Sequence, residues 1–124
     1  MQHIQGISRQ QLQVVSLEDP INQDNPVRFI DAFVHSIHLE RIGFRERVLK
    51  TEGRPSFDTK VFLKIYLYGY LNGIRSSRKL EKECFRNLEM QWLLEAIRPN
   101  YHSIADFRKD NPKALKQLFK LFVS

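Results

Sequence analysis

The sequence predicts an all-α fold, a compact bundle of about five to six helices, on the strength of three observations. The chain has 124 residues, 42% of them hydrophobic, which suffices for one domain with a buried core. Apolar residues recur three and four positions apart, which is the spacing of one helix face. Residues that typically begin or end helices separate these segments, and no internal repeat or low-complexity tract interrupts them.

Residues 1–24 are predicted to be an arm ahead of a helical domain of residues 25–124. The arm contains one apolar patch followed by a turn-like segment, so we expect it to be short and extended. Asn25 and Pro26 then predict the N-cap and the first position of a helix. Gly43 is predicted to end this helix or a short continuation of it. The apolar stripe of the helix comprises Val27, Phe29, Ile30, Phe33, Val34 and Ile37.

The most apolar segment of the chain, residues 61–74, is predicted to be the central core helix. Asp58 is its predicted N-cap, and Lys64 is the one charged residue within it. A helix that is apolar on nearly all sides is buried by neighbours on several sides. Gly69 lowers helix propensity by about 1 kcal/mol relative to Ala, which predicts a close approach by another helix. Residues 45–57 are interpreted as a loop.

Four short helices are predicted after the central helix. The start signals are Ser76 or Ser77, Asn87, Ser103 in a capping box with Asp106, and Asn111 before Pro112. Arg98 and Pro99 are predicted to end the second of the four helices. The residues predicted to face the core are Leu80, Cys84, Ile104 and Phe107. The apolar mass of the second helix comes from Leu88, Trp92, Leu93, Leu94 and Ile97, and the apolar stripe of the last helix consists of Leu115, Leu118, Phe119 and Phe122.

The net charge of +6 is concentrated in the C-terminal part of the chain. Residues 1–74 contain 9 basic and 8 acidic residues, whereas residues 75–124 contain 11 basic and 6 acidic residues. A one-sided basic excess is typical of proteins that bind a polyanion, above all nucleic acid. A solvated helical surface explains the same excess, because Lys and Arg are good helix formers. Charge alone leaves both interpretations open.

One predicted helix carries a basic stripe along its outer face. The stripe consists of Arg78, Lys82 and Arg86 at every fourth position, with Arg75 and Lys79 beside them. Such a row can follow a phosphate backbone, since each cation that neutralises a phosphate releases counterions. A plain solvated helix face accounts equally well for the spacing. Glu83 partly offsets the stripe and is predicted to pair with Lys79.

The short capped helices between residues 76 and 109 also fit the pattern of a helix-turn-helix. In that motif one helix contacts base edges in the major groove with its first turns, while a neighbouring helix crosses the backbone. The candidate for insertion is the segment 103–109, with Ile104 and Phe107 as inward anchors. The candidate DNA contacts there are His102, Ser103, Arg108 and Lys109.

No metal site or active site is predicted. Asp31, His35 and His38 are spaced to share one face of a helix, but they fall short of a typical ligand set and are more typical of plain surface groups. Cys84 occupies an inward helical position and is predicted to be a core residue. The sequence contains neither a glycine-rich phosphate loop nor a G-x-S-x-G motif.

The composition predicts a protein of the cytoplasm. The single cysteine excludes an intramolecular disulfide and is typical of a reducing compartment. The longest nearly uncharged run, residues 65–74, is half the length of a membrane span, and the first residues lack a signal pattern. We therefore expect no membrane partner.

Several sequence motifs occur in order along the chain. The longest are GRPSFD at residues 53–58, LKIYLYGYLNGIRSSRKLE at 63–81 and SIADFRKDN at 103–111. The shorter ones are VRFID at 27–31, NLE at 87–89, WLL at 92–94 and RP at 98–99. In these motifs the chain, over roughly residues 12 to 124, resembles the N-terminal domain of bacterial insertion-sequence transposases of the InsH-like group.

The resemblance implies a domain that binds double-stranded DNA at the terminal inverted repeats of a transposon, in the nucleoid. In such proteins a separate ribonuclease-H-like domain follows, where three acidic residues of the DDE kind bind two divalent metal ions, usually magnesium. The chain stops at Ser124, so those acids are expected beyond it, and Asp106 and Asp110 do not inherit their role. The chain by itself is expected to have neither a cofactor nor enzyme activity.

Two other functions stay open. The domain could form a homodimer or pack on the catalytic domain through the C-terminal apolar stripe, which consists of Leu115, Leu118, Phe119 and Phe122. It could also be a cryptic nuclease, for which magnesium-dependent cleavage is the test.

Overall fold

In a computed structural model, the chain is described at residues 21–44 and 57–123. The helices are α1 (Pro26–Ser36), a 3-10 turn (Leu39–Ile42), α2 (Thr59–Asn72), α3 (Ser77–Arg86), α4 (Leu88–Leu93), α5 (Tyr101–Asp110) and α6 (Pro112–Val123). These residues form six α-helices and no strand, which confirms the predicted all-α bundle. The predicted arm, apart from its last four residues, and nearly all of the predicted loop lie outside the described residues.

Helix α2 is the centre of the bundle. All residues from Val61 to Gly69 are buried, as predicted, and α2 packs against α1 and α4. Phe107 of α5 lies on the third side, where its ring stacks on Phe62 at 4.8 Å between centroids and on Phe44 at 5.7 Å. The core therefore surrounds α2, which buries apolar side chains around most of its circumference.

Four of the predicted N-caps are confirmed by hydrogen bonds. The side chains of Asn25, Asp58, Ser76 and Asn87 each accept a hydrogen bond from a backbone N–H in the first turn of their helix. Each such cap contributes on the order of 1 kcal/mol to stability. Gly43 ends the 3-10 turn in the left-handed conformation, with φ of 100°, as predicted from its position.

The close approach predicted at Gly69 is present. A Cβ atom there would lie 2.6 Å from the carbonyl oxygen of Ile74 and 3.1 Å from a methyl group of Leu80 in α3. The Ile74 N–H donates to the Gly69 carbonyl at 2.8 Å, so the chain folds back over the end of α2. Glycine is required here because the turn from α2 into α3 occupies the space of a side chain.

Lys64, the charged residue within the buried part of α2, is itself buried and paired. Its ammonium group lies 2.9 Å from the carboxylate of Asp31 on α1 and donates a hydrogen bond of 3.3 Å to the Leu93 carbonyl on α4. Three helices thus meet at one side chain, and both of its partners are needed to compensate its lost hydration.

Helix α4 is the second of the four short helices predicted after the central helix, and its predicted end at Arg98 and Pro99 is wrong. Helix α4 ends at Leu93, and Glu95 and Ala96 then take positive φ angles of 51° and 65°. The Ala96 N–H donates to the Gln91 carbonyl at 2.9 Å, which closes the helix end in the manner of a left-handed C-cap.

Three residues of the predicted apolar segments lie at the surface. Leu88, the first residue of α4, is 56% exposed, and Ile97, which follows the end of α4, is 40% exposed. Phe29 on α1 is 60% exposed and packs against Phe33 and Phe122, at the edge of the bundle.

Candidate nucleic-acid interface

The basic side chains of residues 75–123 all lie at the surface. The eleven are Arg75, Arg78, Lys79, Lys82, Arg86, Arg98, Arg108, Lys109, Lys113, Lys116 and Lys120. Of the six acidic residues in the same region, Glu81, Glu83 and Glu89 are only partly exposed and accept hydrogen bonds from the protein. The positive charge of this region therefore faces solvent, while half of its negative charge is held within the fold.

Helix α3 has the two faces that its spacing predicts. Leu80 and Cys84 are buried, and the bases of the predicted stripe are exposed on the other side. The predicted pairing of Glu83 with Lys79 is wrong, because the Glu83 carboxylate binds Arg86 at 2.8 Å instead. Among the described residues, the side chains of Lys79 and Lys82 make no hydrogen bond or ion pair, so both can meet an external anion.

The turn between α3 and α4 is fixed by a polar network around Asn87. The Asn87 amide donates to Glu83 and to the Tyr68 hydroxyl, each at 2.8 Å, and the Tyr68 hydroxyl donates to Glu89 at 3.0 Å. Hydrogen bonds from Asn87 and Arg86 lower the pKa of Glu83. Burial, with the Glu89 carboxylate beside it, raises the pKa of Tyr68 to about 12.

Helix α5 begins earlier than predicted, so the predicted capping box at Ser103 is wrong. Asn100 is the N-cap, and its side-chain oxygen accepts the N–H of Ser103 at 2.9 Å. Glu81 of α3 accepts the N–H of Tyr101 at 2.7 Å and so satisfies a second donor of the first turn. Ser103 is therefore the third residue of α5 and partly buried, rather than the first residue at an exposed tip.

Helices α3 and α5 pack side by side and share a seam of arginine and aromatic side chains. The Arg78 guanidinium lies over the Tyr101 ring at 4.4 Å, and the rings of Tyr101 and His102 are 4.0 Å apart. Near the other end of α5, Arg108 donates to the carbonyl of Arg75 at 2.7 Å. Of the nine predicted site residues, the structure pairs Arg75 with Arg108 near one end of α5 and places Arg78 and His102 next to Tyr101 at the other.

The other predicted site residues lie outside this seam. Helical spacing of 100° per residue directs Lys79, Lys82 and Arg86 to the side of α3 that faces away from Glu81, and hence away from α5. Lys109 is exposed on α5, seven positions after His102 and on the same face. Whether these residues touch DNA stays a prediction.

Sequence reasoning missed three residues that shape this surface. The Tyr101 ring stacks against the Arg78 guanidinium, Glu81 accepts a hydrogen bond from the first turn of α5, and Asn100 is the N-cap of α5. Asn100 had a sequence signal, since a cap-forming residue directly after Pro99 and ahead of Ile104 is a typical helix start. Tyr101 and Glu81 had none, because their roles depend on the packing of α3 against α5.

Two of the groups considered for metal binding pair with each other, and the cysteine is buried. Asp31 lies 3.3 Å from His35 and also holds Lys64, and no cluster of three or more potential metal ligands occurs in the described residues. Cys84 is buried, as predicted, and burial raises the pKa of its thiol to about 12. No helix among the described residues has the length and apolar character needed to cross a membrane.

Comparison with known families gives one match. The model of a family described as Transposase domain (DUF772) matches residues 15–110, which include α1 to α5 and both helices of the seam. The chain matches no curated protein and no solved structure at a significant level.

Proposed function

The chain belongs to this family of transposase domains, and we propose that it binds double-stranded DNA on behalf of its transposase. The finer proposal is an N-terminal domain of an InsH-like insertion-sequence transposase that recognises the terminal inverted repeats. The domain binds without cutting, and the DDE chemistry with its divalent metal ions belongs to a separate catalytic domain.

One observation carries the proposal for DNA. All eleven basic side chains of residues 75–123 are exposed, while three of the six acids in that region are held in hydrogen bonds within the fold. A surface of this kind attracts a phosphate backbone over several contacts. Membership in a transposase family makes DNA the polyanion that this surface meets.

Backbone anchoring is assigned to α3. Lys79 and Lys82 make no internal contact among the described residues, so they bind phosphates without first breaking an ion pair. Arg86 first has to leave Glu83, which lies 2.8 Å away, and therefore contributes less. Arg75 and Arg78 extend the same positive surface towards α5.

Base contacts are assigned to the exposed face of α5. His102, Ala105 and Lys109 follow the i, i+3, i+7 spacing of one helix face, and small Ala105 allows close approach to a base edge. Arg108 is oriented by the Arg75 carbonyl and acts as a positioning residue. Ser103 lies about 100° around the helix from His102 and contributes least.

The test is fluorescence anisotropy with labelled duplexes at several salt concentrations. We expect Lys79→Ala combined with Lys82→Ala to weaken binding about tenfold at low salt and to reduce the salt dependence by about one unit per lysine. The control is Arg41→Ala, which removes an exposed arginine from the 3-10 turn. The proposal fails if no duplex binds in a salt-dependent way, or if the control weakens binding as much as the double variant.

Sequence readout is tested by the α5 variants. His102→Ala and Lys109→Ala should change the preference for the element's own ends over a scrambled duplex. The α3 double variant should instead lower affinity for both duplexes equally, because phosphate contacts carry no sequence information. Equal loss on both duplexes for the α5 variants would move the base contacts to another element.

A second candidate function is self-association. Of the predicted apolar stripe, Leu115 and Leu118 are buried in the core, which leaves Phe119 and Phe122 partly exposed. Phe122 joins Phe29 and Phe33 in an aromatic cluster at the edge of the bundle, with ring centroids 5.0 to 6.3 Å apart. Sedimentation tests this function, because a tight dimer that shows no affinity for DNA would favour it over DNA binding.

A further inference from the structure

A groove opens beside the seam of α3 and α5. Its volume is about 470 Å³, within the usual range of small-ligand sites. It runs between the end of α2, the turn into α3, the end of α5 and the middle of α6. The side chains that matter for its chemistry are Tyr66, Tyr70, Arg75, Arg108, Lys116 and Phe119.

One wall of the groove is aromatic and open to solvent. Tyr70 stacks on Phe119 with ring centroids 5.2 Å apart and an angle of 21° between the rings. Tyr70 is nevertheless 51% exposed, so this stacked pair retains a free surface. The Tyr66 ring lies deeper and is fixed by the hydrogen bond of its hydroxyl to the Ile104 carbonyl. Exposed stacking surfaces of this kind bind nucleobases of any sequence.

The other lining groups are cationic. Arg75, Arg108 and Lys116 are all exposed, and among the described residues no carboxylate lines the groove. Arg108 is held in place, since it donates to the Arg75 carbonyl at 2.7 Å and its guanidinium lies 5.1 Å from the centre of the Tyr66 ring. The groove therefore offers positive charge next to aromatic rings, which is complementary to a phosphate attached to a base.

Glycine keeps the mouth of the groove open. Gly73 lines it with a φ of 70°, and no atom lies within 4 Å of the position that a Cβ would take. The backbone at the turn into α3 is thus accessible next to Arg75.

We propose that this groove binds an unpaired nucleotide of a DNA strand, with the base on the Tyr70–Phe119 pair and the phosphate between Arg75 and Lys116. The inference rests on the proposed DNA-binding function. The strand, rather than a free nucleotide, is the occupant because Arg75 and Arg108 belong both to the groove and to the seam of the proposed duplex surface. A duplex lying on α3 and α5 delivers an unpaired base to the groove without leaving the protein.

The test compares three labelled probes of one sequence: a fully paired duplex, the same duplex with one unpaired base, and a short single strand. We expect the wild-type protein to bind the duplex with the unpaired base about tenfold more tightly than the paired duplex, as one stacked base would provide. Lys116→Ala should weaken binding of the duplex with the unpaired base more than binding of the paired duplex, to which Lys116 contributes one surface charge. Tyr70→Ala should remove the preference while leaving the affinity for the paired duplex unchanged. Tyr70→Phe should retain it, because the stacking surface remains.

The matched control is Phe85→Ala, which removes an exposed aromatic residue of α3 that does not line the groove. The inference is overturned if the wild-type protein shows no preference for the unpaired base, or if Phe85→Ala abolishes the preference and Tyr70→Ala does not. It is also overturned if a free deoxynucleoside monophosphate competes as strongly as the single strand, or if Tyr70→Ala acts by changing self-association in sedimentation. Loss of all binding to the paired duplex would instead count against the proposed function.

Discussion

Among the described residues, most basic side chains before residue 75 are partly or fully buried, whereas those from residue 75 onward are exposed. In residues 21–44 and 57–74 the basic side chains are Arg28, Arg41, Lys60 and Lys64, of which only Arg41 is fully exposed. Lys64 is buried in an ion pair, and Arg28 donates to the carbonyls of Ile21 and Asn22, each at 2.8 Å. After residue 75 every basic side chain is exposed. In the first region Arg28 and Lys64 bind partners within the fold, whereas the basic residues of the second region build a charged surface.

The difference shows why net charge alone is a weak guide to function. A buried ammonium group has given up its hydration, so its charge stabilises only the partners around it. An exposed ammonium group keeps its hydration and can exchange it for a phosphate at little cost. The basic excess of the second region is therefore available to a ligand, whereas the charges of Arg28 and Lys64 are engaged within the fold.

The largest expected effect on stability comes from replacing a lysine of the first region with alanine, and the same replacement in the second region is its control. Lys64→Ala should lower the free energy of unfolding by about 3 kcal/mol, because Asp31 and the Leu93 carbonyl lose their shared partner. Lys82→Ala should change it by less than about 0.5 kcal/mol. Urea unfolding measures both, and comparable values for the two variants would break the comparison between the regions.

The next effect concerns the buried hydroxyl of Tyr68, in the first region. Its pKa is raised to about 12 in the folded state. Protonated Tyr68 therefore stabilises the folded protein below about pH 10, and this stabilisation is lost as the pH rises towards about 12. Tyr68 should account for a fall in stability of about 2 kcal/mol between pH 8 and about pH 11.5, because the unfolded chain ionises first.

The control for this alkaline effect is Tyr68→Phe, measured by denaturant titration at the same pH values. Its loss of stability should be smaller by about this amount, since both proteins share the buried thiol of Cys84. Equal pH dependence in the two proteins would show that Tyr68 ionises as freely in the folded state as in the unfolded chain.

A smaller effect on stability distinguishes a polar residue that caps α5 from one that does not. Asn100→Ala should cost about 1 kcal/mol, since it removes the N-cap of α5. Ser103→Ala should cost less than about 0.5 kcal/mol, because Ser103 caps nothing. Thermal unfolding of the two variants measures the difference, and the reverse order would restore the capping box that the sequence predicts.

The smallest expected effect comes from an acid held within the basic region. Glu81→Gln keeps an acceptor for the Tyr101 N–H but removes a negative charge from the start of α5. We expect stability to fall by about 0.5 kcal/mol, because a carboxylate favours a helix N-terminus. Affinity for duplex DNA should rise about threefold at low salt, as one repulsive charge is lost. An unchanged affinity in anisotropy would mean that DNA binds away from this seam.

Much of the fold follows from local sequence signals, and the exceptions have a common cause. Asn25, Asp58, Ser76 and Asn87 cap their helices as predicted, since each precedes an apolar segment with helical spacing. The early end of α4 could not be predicted, because Glu95 and Ala96 take left-handed angles that neither residue type favours. Propensity at these two positions therefore gives no signal for the end of the helix.

The candidate interface was only partly predictable for the same reason. Exposure of Lys79 and Lys82 follows from the position of Leu80 and Cys84 on the opposite face of α3. The choice of Asn100 over Ser103 depends on Glu81, which reaches α5 from another helix. The groove likewise needs the end of α2 to meet α6, and nothing in the local sequence of either helix predicts that meeting.

The position of Lys64 also bears on how the domain folds. An intermediate in which α2 is buried against only one of α1 and α4 would hold the ammonium group with half of its partners, and desolvation makes such a state costly. Docking of α1 and α4 onto α2 is therefore coupled. The three helices should form in a single cooperative transition, with rates and equilibrium that agree with a two-state reaction.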